Sequence, residues 1–152
     1  MKPRAFWSLF TLAAFLRLVL IWQAELWYDE SFTYLVSALP FGRMMQAVIG
    51  DVHPPLYYLL TWPLGQIDGI APWMLRLPSA AFSLCSLWLF WRILAALHIP
   101  ARVQVIALGL MTVLPMQLLY AQEARMYGLL EAEFLLAVYA VLNRRWTLMT
   151  LA

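Results

Sequence analysis

From Ala5 to Leu26 the chain is one long apolar run with Arg17 near its middle. An α-helix rises about 1.5 Å per residue, and about 20 residues cover the hydrocarbon core of a bilayer. The run therefore predicts a membrane-spanning helix. It ends on Trp27-Tyr28-Asp29-Glu30-Ser31-Phe32. Trp and Tyr favour the membrane–water interface, so a carboxylate pair is expected at a membrane surface, placed for chemistry on something lipid-borne.

Composition points the same way. Of 152 residues 64% are hydrophobic and 12% charged, against roughly 25% charged in soluble domains. The net charge of +2 and the scattered basic residues argue against nucleic acid as a partner. A single cysteine, Cys85, excludes an internal disulfide. The start Met1-Lys2-Pro3-Arg4 resembles a signal peptide, but the following run is too long and no small-x-small site precedes Trp27. It reads as a retained helix.

The expected fold is all-α: a polytopic membrane protein occupying 1–152 as one module. Spans are expected at about 5–26, 74–97, 103–121 and 126–143, with a partial fifth at 146–152. The stretch 54–67 is apolar, but Pro63 interrupts it and Asp68-Gly69 follow. It is too short to cross and reads as an interfacial helix with Pro55 at its first position. Charge supports that topology. With the N-terminus inside, Lys2, Arg4, Arg92, Arg102, Arg144 and Arg145 are cytoplasmic, without an acid among them. Arg43, Arg76 and Arg125 fall outside together with Asp29, Glu30, Asp51, Asp68 and Glu123, a positive-inside distribution. The outer loop is then about 27–73. Within it, Phe32, Leu35, Val36 and Leu39 follow helical spacing. Asp29 is placed to cap that helix, Pro40 to end it, and Phe41-Gly42-Arg43 to turn the chain.

Several polar clusters share the outer side. Asp29 and Glu30 are candidate catalytic carboxylates, or merely a cap and a solvated charge. Asp51 and His53, in Asp51-Val52-His53-Pro54-Pro55, offer with Asp29 the ligand types of a divalent ion, or form an ordinary turn. Arg76 and Arg125 are guanidiniums suited to bidentate phosphate binding, or anchors that snorkel to the interface. Within the spans, Arg17, Glu131 and Glu133 are costly unless paired or lining a polar cavity; an Arg17–Glu133 pair is the simple solution. The Trp and Tyr residues read as belt and packing groups.

These pieces, in order, resemble a known family. An Arg in the first span is followed by Trp27-Tyr28-Asp29-Glu30, then Asp51-Val52-His53-Pro54-Pro55-Leu56-Tyr57-Tyr58. Leu75-Arg76-Leu77-Pro78-Ser79-Ala80 and Gln122-Glu123-Ala124-Arg125-Met126-Tyr127 come next. The series is similar to the N-terminal part of GT-C membrane glycosyltransferases, in the dolichyl-phosphate-mannose protein mannosyltransferase and aminoarabinose transferase-like superfamily. The resemblance covers nearly all 152 residues, with the order of the motifs more specific than any one of them.

The resemblance implies transfer of a sugar from a polyprenyl-phosphate donor to a lipid, glycan or protein acceptor. The reaction would occur on the periplasmic or extracellular face of a bacterial-type inner (plasma) membrane. Asp29 would act as base or acceptor-orienting group with Glu30 in support. Arg76, Arg125, Glu123 and Tyr127 would bind substrate or phosphate, and Asp51 and His53 would be ligands if a divalent metal ion takes part. Family members typically carry about a dozen spans, so later spans, or a protein partner, are expected to complete the fold. Two other functions are compatible with the residues: a non-catalytic membrane subunit binding a partner or lipid carrier, and a small transporter relaying through Arg17, Glu131 and Glu133. The transporter has too few intramembrane polar residues to form a path.

Overall fold

A computed structural model describes residues 2–19, 21–22, 25–51 and 53–144. The described secondary structure is entirely helical, as expected. The helices are α1 (Pro3–Leu18), α2 (Tyr28–Ser37), α3 (Phe41–Ile49), α4 (Leu56–Gly65), α5 (Leu77–Ala96), α6 (Ala101–Val113), α7 (Pro115–Ala121) and α8 (Tyr127–Leu142). A short 3₁₀ helix, Pro72–Arg76, leads into α5. The partial span expected at 146–152 lies outside the described residues.

Pro3, Pro78 and Pro115 each sit in a helical first turn. A missing N–H is harmless there, because that donor has no intrahelical partner anyway. Central α5 packs against α1, α6, α7 and α8. Phe6, Ala13, Leu87, Leu94, Leu108 and Met111 form the largest buried cluster, where Phe6 stacks on Trp91 at 4.0 Å. The α5–α8 seam is close. A Cβ on Gly128 would lie 2.9 Å from the Ser79 carbonyl oxygen, so small residues let these backbones approach.

Pro72–Ala96 is 25 residues long with a mean hydropathy of 1.5, long and apolar enough to cross a membrane alone. The helix expected over 103–121 is broken: α6 and α7 meet at 55°, because Pro115 cannot donate to the Met111 carbonyl. The first helix also departs from expectation, ending at Leu18 rather than running to Leu26. Side chains from distant elements take the carbonyls that further turns would have used. Gln122 Nε2 donates to Leu16 O and Arg17 O, and Arg76 donates to Ile21 O and Glu25 O. Tertiary hydrogen bonds have outcompeted helix propagation.

The loop 27–73 folds into a layer of α2, α3 and α4. Val36, Met44, Val48 and Tyr58 form its core. Three local expectations are corrected here. Residues 41–43 do not turn the chain: they open α3, with Pro40 as its extended N-cap, because Met44 and Val48, four apart, can be buried together. Pro55 precedes α4 rather than starting it. Pro63 does not end α4, which runs to Gly65. Proline removes only one bond near a helix end, and Trp62 Nε1 to Leu39 O (3.0 Å) and Gln66 Nε2 to Ser37 O (2.8 Å) pin the last turn onto α2.

Candidate functional site

Consecutive helical residues point about 100° apart, and α2 uses that angle to separate Asp29 from Glu30. Glu30 turns inward and is 2% exposed. Its Oε1 accepts from Arg76 Nε at 2.8 Å and from the Ala124 N–H at 2.7 Å. Its Oε2 accepts from Arg76 Nη2 at 2.7 Å. Glu30, expected to support catalysis, and Arg76, expected to bind phosphate, are thus committed to one another. Asp29 is half-buried, and its carboxylate accepts no hydrogen bond among the described residues. It does not cap α2, whose N-cap position is Trp27; it sits in the first turn, where a negative charge suits the helix dipole.

Asp29, Asp51, His53 and Arg125 line one cavity of about 420 Å³ together with Tyr28 and Phe32. His53 Nδ1 lies 3.1 Å from Asp51 Oδ2, and His53 Nε2 lies 3.5 Å from Arg125 Nη2. A guanidinium only donates, so this geometry favours the neutral tautomer with the proton on Nδ1, donated to Asp51. Tyr58 donates to the same Asp51 oxygen at 2.9 Å. Burial first, then that bond to Asp51, pushes the Tyr58 phenol up to about 12, against a pull from Arg125.

Arg125 is 5% exposed and forms no ion pair with a carboxylate among the described residues. Its side-chain contacts are long: 3.3 Å to Asp29 O and 3.5 Å each to Tyr58 and His53. Its Nε has no partner. The backbone is anchored instead. Ser79 Oγ donates to Arg125 O at 3.0 Å and lies 2.7 Å from the Tyr57 hydroxyl, which also reaches Leu75 O at 3.3 Å. A nearly buried guanidinium without a carboxylate, at the wall of an open cavity, is arranged to receive an anion.

The other expected site residues fall elsewhere. Arg76 and Glu123 line a neighbouring cavity with Glu25, Trp27, Glu30 and Gln122. Burial raises the Glu123 carboxyl above the ordinary range, Glu30 and Asp29 push the same way, and Arg125 and Arg76 pull it down. An acidic setting of this kind repels a phosphate. Tyr127 stacks on Tyr120 at 4.6 Å and borders a third cavity with Gln117 and Glu131. Among the described residues no group of three or more His, Cys, Asp or Glu converges. Asp51 and His53 face each other, and Arg125 stands at the remaining imidazole nitrogen.

Within the bundle the simple Arg17–Glu133 pair does not form. Arg17 Nε donates to Ser83 Oγ at 2.8 Å, and its Nη atoms reach the carbonyls of Ala13, Met111 and Thr112. The Met111 carbonyl is the one Pro115 leaves without a helical donor. Glu131 accepts from Gln117 at 2.6 Å.

Sequence reasoning set aside Tyr57 and Tyr58 as packing groups, yet both build the site. Their place directly after Asp51-Val52-His53-Pro54-Pro55-Leu56 was the available signal. Ser79 was visible only as a neighbour of Arg76. Comparison of the chain with protein-family models, curated proteins and solved structures finds no match.

Proposed function

We propose that this chain is the N-terminal module of a polytopic membrane glycosyltransferase acting on a polyprenyl-phosphate-linked sugar. Two observations support the membrane setting. Large apolar side chains face outward from α1, α6 and α8, including Phe15, Ile106 and Phe134 (68% exposed). Water would penalise such a surface and lipid would not. The basic residues Arg4, Arg92 and Arg102 lie toward the end of the bundle marked by the Phe6–Trp91 stack, whereas Asp29, Glu30, Glu123 and Arg125 gather at the other. This sidedness fits a cytoplasmic N-terminus and an outer active face.

The observation that carries the reading is the shared cavity. Asp29 presents an uncommitted carboxylate, and Arg125 an unneutralised guanidinium, to the same space. In this mechanism Arg125 binds the lipid phosphate, with His53 and Tyr58 beside it. Asp29 takes the proton of the acceptor hydroxyl as that oxygen bonds to the anomeric carbon. The bond from the anomeric carbon to the phosphate oxygen breaks, and Arg125 stabilises the charge left on the phosphate. Glu30 and Arg76 hold the frame rather than touch substrate.

Asp29→Asn tests it in membranes where the parent protein transfers sugar. Asn preserves size and removes the basic group, so transfer should fall about 10²–10⁴-fold while insertion and folding persist. Transfer within a few-fold of wild type would remove Asp29 from the chemistry. Retained binding of a short-chain prenyl phosphate, with no turnover in the parent under any condition, would favour the non-catalytic subunit.

A further inference from the structure

The second cavity, about 270 Å³, is more acidic than the first, with three carboxylates to one guanidinium against two to one. Four charged side chains line it: Glu25, Glu30, Arg76 and Glu123. Glu30 and Arg76 neutralise each other at 2.7 Å, which leaves Glu25 and Glu123 without a direct ion pair among the described residues. Glu123 is 6% exposed, and among the described residues its carboxylate has neither a hydrogen bond nor an ion pair. The residue is buried, but its carboxylate oxygens open to the cavity, where a donor or a cation can reach them and offset the desolvation. Trp27 adds an indole to the same wall and remains more than half exposed.

A metal ion does not answer this need, since the described carboxylates do not converge as a ligand group. An ammonium group does. It donates three hydrogen bonds, carries the missing charge, and is attracted to an indole face. We infer that the cavity bordered by Trp27, Glu25 and Glu123 is a binding site for an organic ammonium group. Such a ligand supplies the direct ion pair that Glu123 lacks among the described residues, where Arg125 and Arg76 act on it only from a distance. The raised proton affinity of that carboxyl, caused first by burial and then by Glu30, is consistent with a site whose counter-charge comes from outside. The inference goes beyond the proposed transfer reaction and stands apart from the role of Asp29.

The test uses the full chain in non-ionic detergent micelles, which hold no ammonium group, with empty micelles as the blank. The probes are isoamylamine, positively charged at neutral pH, and its neutral counterpart isoamyl alcohol, followed by ligand-observed NMR. The amine should bind at least about tenfold more tightly than the alcohol, as expected for charge-assisted hydrogen bonds. Glu123→Gln should remove that preference. Trp27→Ala, at an exposed position where folding is little affected, should weaken amine binding about threefold. Circular dichroism establishes that each variant is folded; if Glu123→Gln is not, Glu25→Gln and Trp27→Ala decide the matter. Equal binding of amine and alcohol, no amine binding above the blank, or amine binding unchanged in the folded variants would overturn the inference. None of these outcomes bears on Asp29→Asn, so the site and the transfer reaction fail or stand separately.

Discussion

Arg76 and Glu30 meet side-on, Nε 2.8 Å from Oε1 and Nη2 2.7 Å from Oε2, with both side chains 2% exposed. The pair joins four separate stretches. Glu30 belongs to α2 and Arg76 to the 3₁₀ turn before α5; Glu30 also takes the Ala124 N–H, and Arg76 takes the Ile21 and Glu25 carbonyls. It therefore fixes part of the wall of the second cavity.

Breaking this pair from one side should be severe. Arg76→Met or Glu30→Gln leaves a buried partner uncompensated, at a cost of about 3–5 kcal/mol. Arg76→Lys should also fail, because an ammonium cannot reproduce the planar two-bond contact. Thermal unfolding in detergent checks this. Single variants as stable as wild type would contradict a structural role.

Glu123 predicts a pH dependence of known sign. Its folded proton affinity is raised above the ordinary value of 4.5. Between that value and the raised one the folded chain holds more protons than the unfolded, so stability falls as pH rises through the window and is flat above it. Glu123→Gln escapes the loss. The variant should melt higher than wild type at pH 7, and the difference should shrink as pH falls to about 4. A wild type that melts higher than the variant at pH 7 would contradict this.

Arg17 and Pro115 should be coupled. Pro115 deprives the Met111 carbonyl of its helical donor, and Arg17 Nη2 supplies one at 3.3 Å. Pro115→Ala restores an N–H, so Arg17→Met should be less damaging in that background. The expected coupling energy is about 1 kcal/mol, measured by a double-mutant cycle of unfolding. Additive effects would mean the two residues act independently.

Gly65 sets the approach of α4 to α2. A Cβ there would fall 2.5 Å from the Ser37 backbone, where no side-chain rotation relieves it. Gly65→Ala should destabilise by about 1–3 kcal/mol, whereas Gly42→Ala, with nothing near its Cβ, should not. Melting temperatures of the two variants give the comparison.

Much of the helical layout was legible in the sequence. The expected segments 74–97 and 126–143 lie close to the observed Leu77–Ala96 and Tyr127–Leu142, because long apolar runs leave few alternatives to a helix, and in the first Pro78 marks the start. The elements that went astray did so for nonlocal reasons. α1 stops at Leu18 because Gln122 and Arg76 take carbonyls beyond it, and α4 passes Pro63 because Trp62 and Gln66 bind α2.

The candidate site divides the same way. Sequence order picked out Asp29, His53 and Arg125, and the fold brings all three to one cavity. Arg76 was expected beside them with an equal role, but it pairs with Glu30, forty-six residues away. By itself the sequence determined the long helices of the bundle and which residue types could do chemistry, since apolar run length, proline placement and side-chain character are local properties. Only the tertiary structure decided which charges neutralise each other and which remain available. Pairing depends on separations of a few ångströms and on shared burial, and neighbours at that range come from elements far apart in the chain.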